Sequence, residues 1–228
     1  MKAAHTNEDA ALISRTPTKT RTLAAAGTIG PVLFTVAVVV QQFYRRGEYD
    51  PTAQLVSDLT AGPYGWVQQV NFVVFGLLMI AFAVGLQLGV RPTRVAVVGP
   101  ALLGFNGVGL VLAGGFPLRE DAAGQVHDPI GVHTVNGVIF FLSIGIVLAV
   151  VSLRLRADPR WRGLATYTLV TGIALLAGFL VVVALARPAG APLHDWLGLV
   201  QRLVLTVWLA CIVVLALRLR RVATQTGG

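Results

Sequence analysis

Apolar residues along this chain gather into six long runs, 23–43, 67–90, 95–116, 130–153, 164–186 and 197–217, and the connectors between them carry most of the charge. Each run approaches or exceeds the ~20 residues that an α-helix needs to cross a hydrocarbon core about 30 Å thick. None shows the dominant 3.6-residue stripe with which a soluble helix buries one face. The pattern predicts an all-α polytopic membrane protein: a bundle of six transmembrane helices over 23–217, between a polar tail (1–22) and a basic tail (218–228). Both tails are expected to be mobile at their ends.

Short phrases recur within the runs. Gly30-Pro31-Val32-Leu33 in the first resembles Gly99-Pro100-Ala101-Leu102 in the third, and Val70-Asn71-Phe72 in the second resembles Val135-Asn136-Gly137 in the fourth. The recurrence suggests three repeated helical hairpins. Pairs such as Gly85/Gly89 and Gly99/Gly104 have the small-residue spacing that lets membrane helices approach closely.

Composition agrees, with 55% hydrophobic residues and 12% charged ones. The net charge of +8 does not mark a nucleic-acid binder, because the basic residues form no stripe interleaved with aromatics. They collect in alternate connectors. The two tails, the second connector (Arg91, Arg94) and the fourth (Arg154, Arg156, Arg160, Arg162) hold 13, against five on the other side: Arg45, Arg46, Arg119, Arg187 and Arg202. Because Lys and Arg are retained on the cytoplasmic side, both termini are expected there. The acids partition oppositely, with Glu48, Asp50, Asp58, Glu120, Asp121, Asp128 and Asp195 outside. Trp66 and Trp196 are expected at the outer interface, Trp161 and Tyr167 at the inner one. Sixteen Arg to two Lys is the compositional hint for a bacterial source, hence a bacterial inner (plasma) membrane. Cys211 is the single cysteine, so no internal disulfide forms, and its position within a span suits packing.

The outer ends of the even spans are unusually polar. Gln68 and Asn71 share a face of the second span, His133 and Asn136 a face of the fourth, and Gln201 and Arg202 lie near the start of the sixth. Counting back from Leu217 places Arg202 about 8 Å below the outer edge of the core. A charge at that depth points to an interior site or to snorkelling, with Asp58 or Asp195 as counter-ion. In the first outer loop, Asp50-Pro51 has the form of a capped helix start and Gly62-Pro63 of a stop. Leu55, Val56 and Leu59 are expected against the bundle, with Ser57 and Asp58 at a polar mouth.

The chain resembles a bacterial family of six-span membrane proteins, the domain of unknown function nine-nine-eight. The resemblance rests on an aspartate-proline followed by Ser-Asp-Leu after the first span, here Asp50-Pro51 and Ser57-Asp58-Leu59. It rests also on the acidic loop Phe116-Pro117-Leu118-Arg119-Glu120-Asp121 with His133 after it, and spans about 25–217. It implies location and architecture and brings no established activity.

Three functions compete. The first is a non-enzymatic binding or transport-related protein whose outward pocket, built by Asp58, Gln68, Asn71, His133, Asn136, Gln201 and Arg202, takes an anionic small molecule or lipid headgroup; this needs no cofactor. The second is a metal-dependent intramembrane hydrolase, with zinc on His127, His133 and His194 near Ser57 and Asp58. That grouping resembles the Ser/Asp/three-His pattern of the alkaline ceramidase-like superfamily but lacks a His-x-x-x-His pair on one helix. The third is a scaffold subunit whose polar helix ends meet a membrane-protein partner or a second copy in a homo-oligomer.

Overall fold

A computed structural model describes residues 2–91 and 97–225, with side chains in the first helix described from Thr18 onward. Arg94 and the start of the third predicted span therefore lie outside the described residues. Among the described residues six helices are long and apolar enough to cross a membrane: α1 (Lys2–Tyr44), α2 (Gly65–Gly89), α3 (Val98–Gly115), α4 (Val132–Ala157), α5 (Arg162–Val181, continued by a wider π-type turn, Val182–Ala186) and α6 (Leu197–Gln225). The only strands among the described residues are β1 (Arg119–Glu120) and β2 (Val126–His127), an antiparallel ribbon in the α3–α4 connector. The protein is thus a multi-pass, all-α bundle. Below, "loop end" means the end bearing the α1–α2, α3–α4 and α5–α6 connectors, and "tail end" the opposite one.

The helices follow one another around a ring, each packed on its chain neighbours, and α6 closes against α1. Small residues set the closest approaches. A Cβ on Gly76 or Gly107 would run into the facing backbone of α3 or α2, and one on Gly145 or Gly172 into that of α5 or α4. Without side chains between them these helices gain dispersion contacts that lipid cannot match. These contacts join α2 to α3 and α4 to α5, across the borders of the hairpins suggested by the sequence repeats.

Helix ends depart from the sequence reading in instructive ways. α1 continues back through the polar stretch to Lys2, and α6 runs on through the basic residues to Gln225, burying Leu219, Val222 and Ala223. Leu219 fits over Gly85 and Gly89 of α2, so the basic "tail" is a packed helix turn. Asp128-Pro129 stands just before α4. The helix begins three residues later, after Gly131 in a left-handed conformation (φ 75°), and Asp128 reaches forward to accept from Thr134 N–H at 2.7 Å. Trp66 and Trp196 are exposed at the loop end as expected, but Trp161 is fully buried, a core residue of the tail end.

That tail end is a knot of charge. Arg154, buried, donates to Gln87 Oε1 (2.6 Å), Gln87 O (3.0 Å) and Val90 O (2.6 Å), satisfying the last carbonyls of α2. Asp158, fully buried, accepts from Arg91 N–H (3.0 Å) and from Arg160 Nε (3.0 Å) and Nη2 (2.7 Å). Arg218 donates in turn to Arg160 O at 2.9 Å. Residues read from sequence as orientation signals thus also fasten α2, α4, α5 and α6 together.

Candidate functional site: a roofed cavity at the loop end

The loop end encloses a cavity of about 280 Å³, lined by residues of all six helices and of the first connector. Its floor is aromatic. Trp208 of α6 meets Phe75 of α2 (5.7 Å between ring centroids) and Phe140 of α4 (5.2 Å), both edge to face, and Phe34 of α1 lies 5.0 Å from Phe75. Such pairs are worth about 0.5–1.5 kcal/mol beyond their burial and hold the rings in place. The Trp208 indole N–H is buried without a hydrogen-bond partner. Below the floor, Met79, Phe82, Ile144, Leu148 and Ile212 are fully buried. The cavity is a blind pocket about 10 Å deep, judged from Gln201 to Trp208 along α6.

The first connector forms the roof. A short 3₁₀ turn, Val56–Thr60, lies over the bundle with Val56 and Leu59 buried, and Leu55, Val56 and Ser57 face the cavity. Asp58 Oδ2 accepts from Leu55 N–H at 2.8 Å and caps that turn, while Asp50 Oδ1 accepts from Thr52 N–H at 2.8 Å. The motif residues Asp50, Pro51, Ser57 and Asp58 therefore build a lid. Burial pushes the Asp58 carboxyl above its ordinary pKa, against the Leu55 hydrogen bond and the charges of His133, Arg202 and Arg45.

The lid is fastened mainly to α6. Arg202 donates to Gln54 O (2.8 Å), to Gly198 O (2.9 Å) and to the Tyr49 hydroxyl, and with its amide oxygen turned toward it Gln42 accepts from Nη2 (3.1 Å) and Nε (3.3 Å). Gln201 Oε1 accepts from Val56 N–H at 2.8 Å, and Leu199 N–H donates to Thr52 O at 2.9 Å. A side chain at position 198 would collide with Gln54 O and Pro51 O, so only glycine lets the connector lie this close. Burial pushes the Tyr49 phenol up to about 12 although Arg202 opposes the shift. On the other flank Arg45 donates to Ala61 O (2.8 Å), Gln69 to Thr60 O (3.0 Å), and Leu118 N–H to Thr60 Oγ1 (3.1 Å).

Of the residues assembled from sequence, His133, Asn136 and Gln201 line the cavity. Each is also tied to backbone: His133 Nδ1 lies 2.9 Å from Phe116 O, and Asn136 donates to Gly109 O at 2.9 Å. Gln68 and Asn71 stand behind the wall, where Gln68 Oε1 accepts from Gln41 (2.8 Å) and Asn71 (3.1 Å), and Asn71 also donates to Phe34 O (3.2 Å). That cluster joins α1 to α2. Asp58 and Arg202 belong to the lid and its clamp. Neither Asp58 nor Asp195 pairs with Arg202; the ion pairs among the described residues are Arg45–Glu48 (3.9 Å) and Arg160–Asp158. The counter-ion expectation fails because the guanidinium is supplied by carbonyls and a phenol, which match its donors without bringing in a second buried charge.

The zinc grouping is not assembled. Among the described residues no three His, Cys, Asp or Glu side chains converge to hold a metal. His127 sits on the exposed ribbon, His133 is buried on the carbonyl at the end of α3, and His194 reaches Ala186 O at 3.2 Å. Sequence reasoning missed Arg187, counted only as a connector charge. It follows the π-type turn of α5, lines the cavity, and makes no side-chain hydrogen bond or ion pair among the described residues.

A family model described as "Protein of unknown function (DUF998)" matches residues 28–218, from the first span to the last. The chain belongs to this DUF998 family. The matched segment takes in the lid, its clamp on α6 and the whole cavity, and stops short of the last turns of α6. No curated protein and no solved structure matches the chain.

Proposed function

We propose that this protein is a non-catalytic binding protein, sensing or transport-related, that holds an anionic amphiphile in the loop-end cavity. The observation that carries the reading is Arg187: a cation without a side-chain hydrogen bond or ion pair among the described residues, at the rim of a cavity whose lining is mainly apolar. Small-molecule sites have this make-up, apolar walls with a few placed polar groups. Guanidinium suits a carboxylate or phosphate, which it can meet with two parallel hydrogen bonds. The distribution of basic residues supports an outward-facing loop end and cytoplasmic termini in a bacterial plasma membrane. The blind floor favours a protein that captures its ligand over one that conducts it.

The test is calorimetric titration of the detergent-purified protein with dodecyl phosphate and with dodecanol. The phosphate is expected to bind roughly tenfold tighter, the increment of one charge-assisted hydrogen bond. Arg187→Leu should erase that preference without altering the unfolding midpoint. Equal affinities for the two probes in the unaltered protein, or no binding of either, would overturn the reading.

A further inference from the structure

The roof and the wall of the cavity differ in how they meet the surroundings. Toward the loop end the cavity is covered by Leu55, Val56, Ser57 and Leu118, and these segments are hydrogen-bonded down on both flanks through Val56, Gln54, Thr60 and Ala61. Toward the side it is uncovered in one place. Four lining residues are exposed, Thr134 and Val138 on α4, Val183 in the last turn of α5 and Arg187 just after it, while every lining residue of α1, α2, α3, α6 and the other two loop-end connectors is buried or half-buried.

The two helices that carry these residues touch tightly lower down, where Gly145 and Gly172 bring their backbones together. Above that contact α5 leans on α6, with Val204 filling the space over Gly178, and its last turn widens into the π form over Val182–Ala186. Turns of this kind are often found at functional sites. The slot lies at membrane depth: Val138 is six residues into α4, about 9 Å below its start. Gly137 lines the slot, and a Cβ there would meet nothing within 4 Å.

We propose that the occupant comes from the bilayer itself: a phospholipid acyl chain passes sideways between α4 and α5 into the cavity while its phosphate stays at Arg187. This rests on the reading of the cavity as an amphiphile site and names the source of the amphiphile. The chain lies on the aromatic floor formed by Phe75, Phe140 and Trp208, out of reach of water, and the phosphate stays level with the helix ends where headgroups reside. A solute from water would have to lift a lid held by Arg202 and Gln201. A lipid chain meets side chains such as Val138 and Val183, which no hydrogen bond holds across the opening.

The test uses the full chain in lipid nanodiscs, with Trp208 fluorescence taken as the difference between the protein and its Trp208→Phe variant. One arm incorporates phospholipid brominated along its acyl chains, and the other adds water-borne 6-bromohexyl phosphate. Bromine quenches indole on contact. Brominated phospholipid is expected to quench Trp208, and Gly137→Leu, which fills open space in the slot, should abolish that quenching. Gly115→Leu, equally free of steric conflict but away from the cavity, should leave it intact. If only the water-borne probe quenches Trp208 and Gly137→Leu changes nothing, the sideways route is wrong and the binding reading stands. If neither probe quenches, the proposal and the reading it rests on both fall.

Discussion

At the tail end Arg154 and Asp158 are buried among the backbone groups they bond, whereas at the loop end Arg202, Gln201 and Arg45 hold a segment of chain above a hollow. Both ends face the same requirement. Helix termini and connectors leave carbonyls and N–H groups that must find partners near the hydrocarbon. Both meet it with arginine, whose donors satisfy several carbonyls at once. What differs is the filling beneath. Under the tail-end knot, Trp161, Leu155 and Leu219 are fully buried; under the lid, rings from α2, α4 and α6 stand edge to face and leave room above them. Polar residues at helix ends therefore do not mark a ligand site by themselves. The site lies where the packing stops.

The comparison breaks most readily at the tail end. Asp158→Ala leaves the Arg91 N–H without its acceptor and the Arg160 guanidinium with Gly89 O alone, and should destabilise the fold by about 3 kcal/mol in a denaturant titration of the detergent-solubilised protein. Its pH signature has a fixed sign. Burial works to raise the Asp158 pKa, but the bonds from the Arg160 side chain, Arg91 N–H and Arg160 N–H outweigh it and hold the carboxyl at about 2, below the ordinary 3.8. A depressed carboxylate contributes stability that is fully present above pH 3.8 and is lost as pH falls toward 2. Asp158→Ala should flatten the unfolding curve across that window. A variant as stable as the parent would show that the knot is incidental.

A smaller and more local effect is expected at the loop end. Arg202→Leu removes the clamp on Gln54 O and Tyr49 but leaves the helices packed, so the loss should be about 2 kcal/mol. Hydrogen exchange should speed up at the amides of Val56 and Leu199, which close the lid on α6. Arg220→Leu, exposed on the same helix, should change neither. Slow exchange at Val56 in the Arg202 variant would mean that Gln201 alone holds the lid.

Of the small-residue pairs read from the sequence, Gly85 and Gly89 lie under Leu219, whereas a Cβ on Gly104 would meet only Ala83 at 3.8 Å. The six spans were legible because length and hydropathy suffice to specify them. Pairing was not, because Gly76–Gly107 and Gly145–Gly172 look like any other membrane glycines until the backbones are seen to meet. Of the polar residues that sequence reasoning grouped into one pocket, His133, Asn136 and Gln201 line the cavity, and Asp58, Gln68, Asn71 and Arg202 do not. Gln68 and Asn71 share a helical face, but that face turns toward α1 and not toward the cavity. Arg202 was singled out for its depth, yet the connector that satisfies it lies about 150 residues away in the chain. Arg187 carried no local signal at all. Its importance comes from the absence of a partner among the described residues, and such an absence has no sequence pattern.

The least disruptive change tests the lid from within. Asp58 differs from Asp158 in having lost water without gaining a cation: burial raises its pKa, against the Leu55 N–H bond and the charges of His133, Arg202 and Arg45. For a carboxyl with a raised folded pKa, the fold favours the protonated form. Stability is then greatest at or below pH 3.8 and declines as pH rises through the raised value. Asp58→Asn keeps an oxygen for Leu55 N–H and removes the charge, so it should match or slightly exceed the parent in stability at pH 7, by under about 1 kcal/mol, and should lose the decline. Asp58→Ala, lacking the acceptor, should cost about 1 kcal/mol at or below pH 3.8, a cost that shrinks as the parent's own stability declines at higher pH. Were Asn as damaging as Ala at neutral pH, the negative charge itself would be needed, and Asp58 would belong to the binding site as well as to its lid.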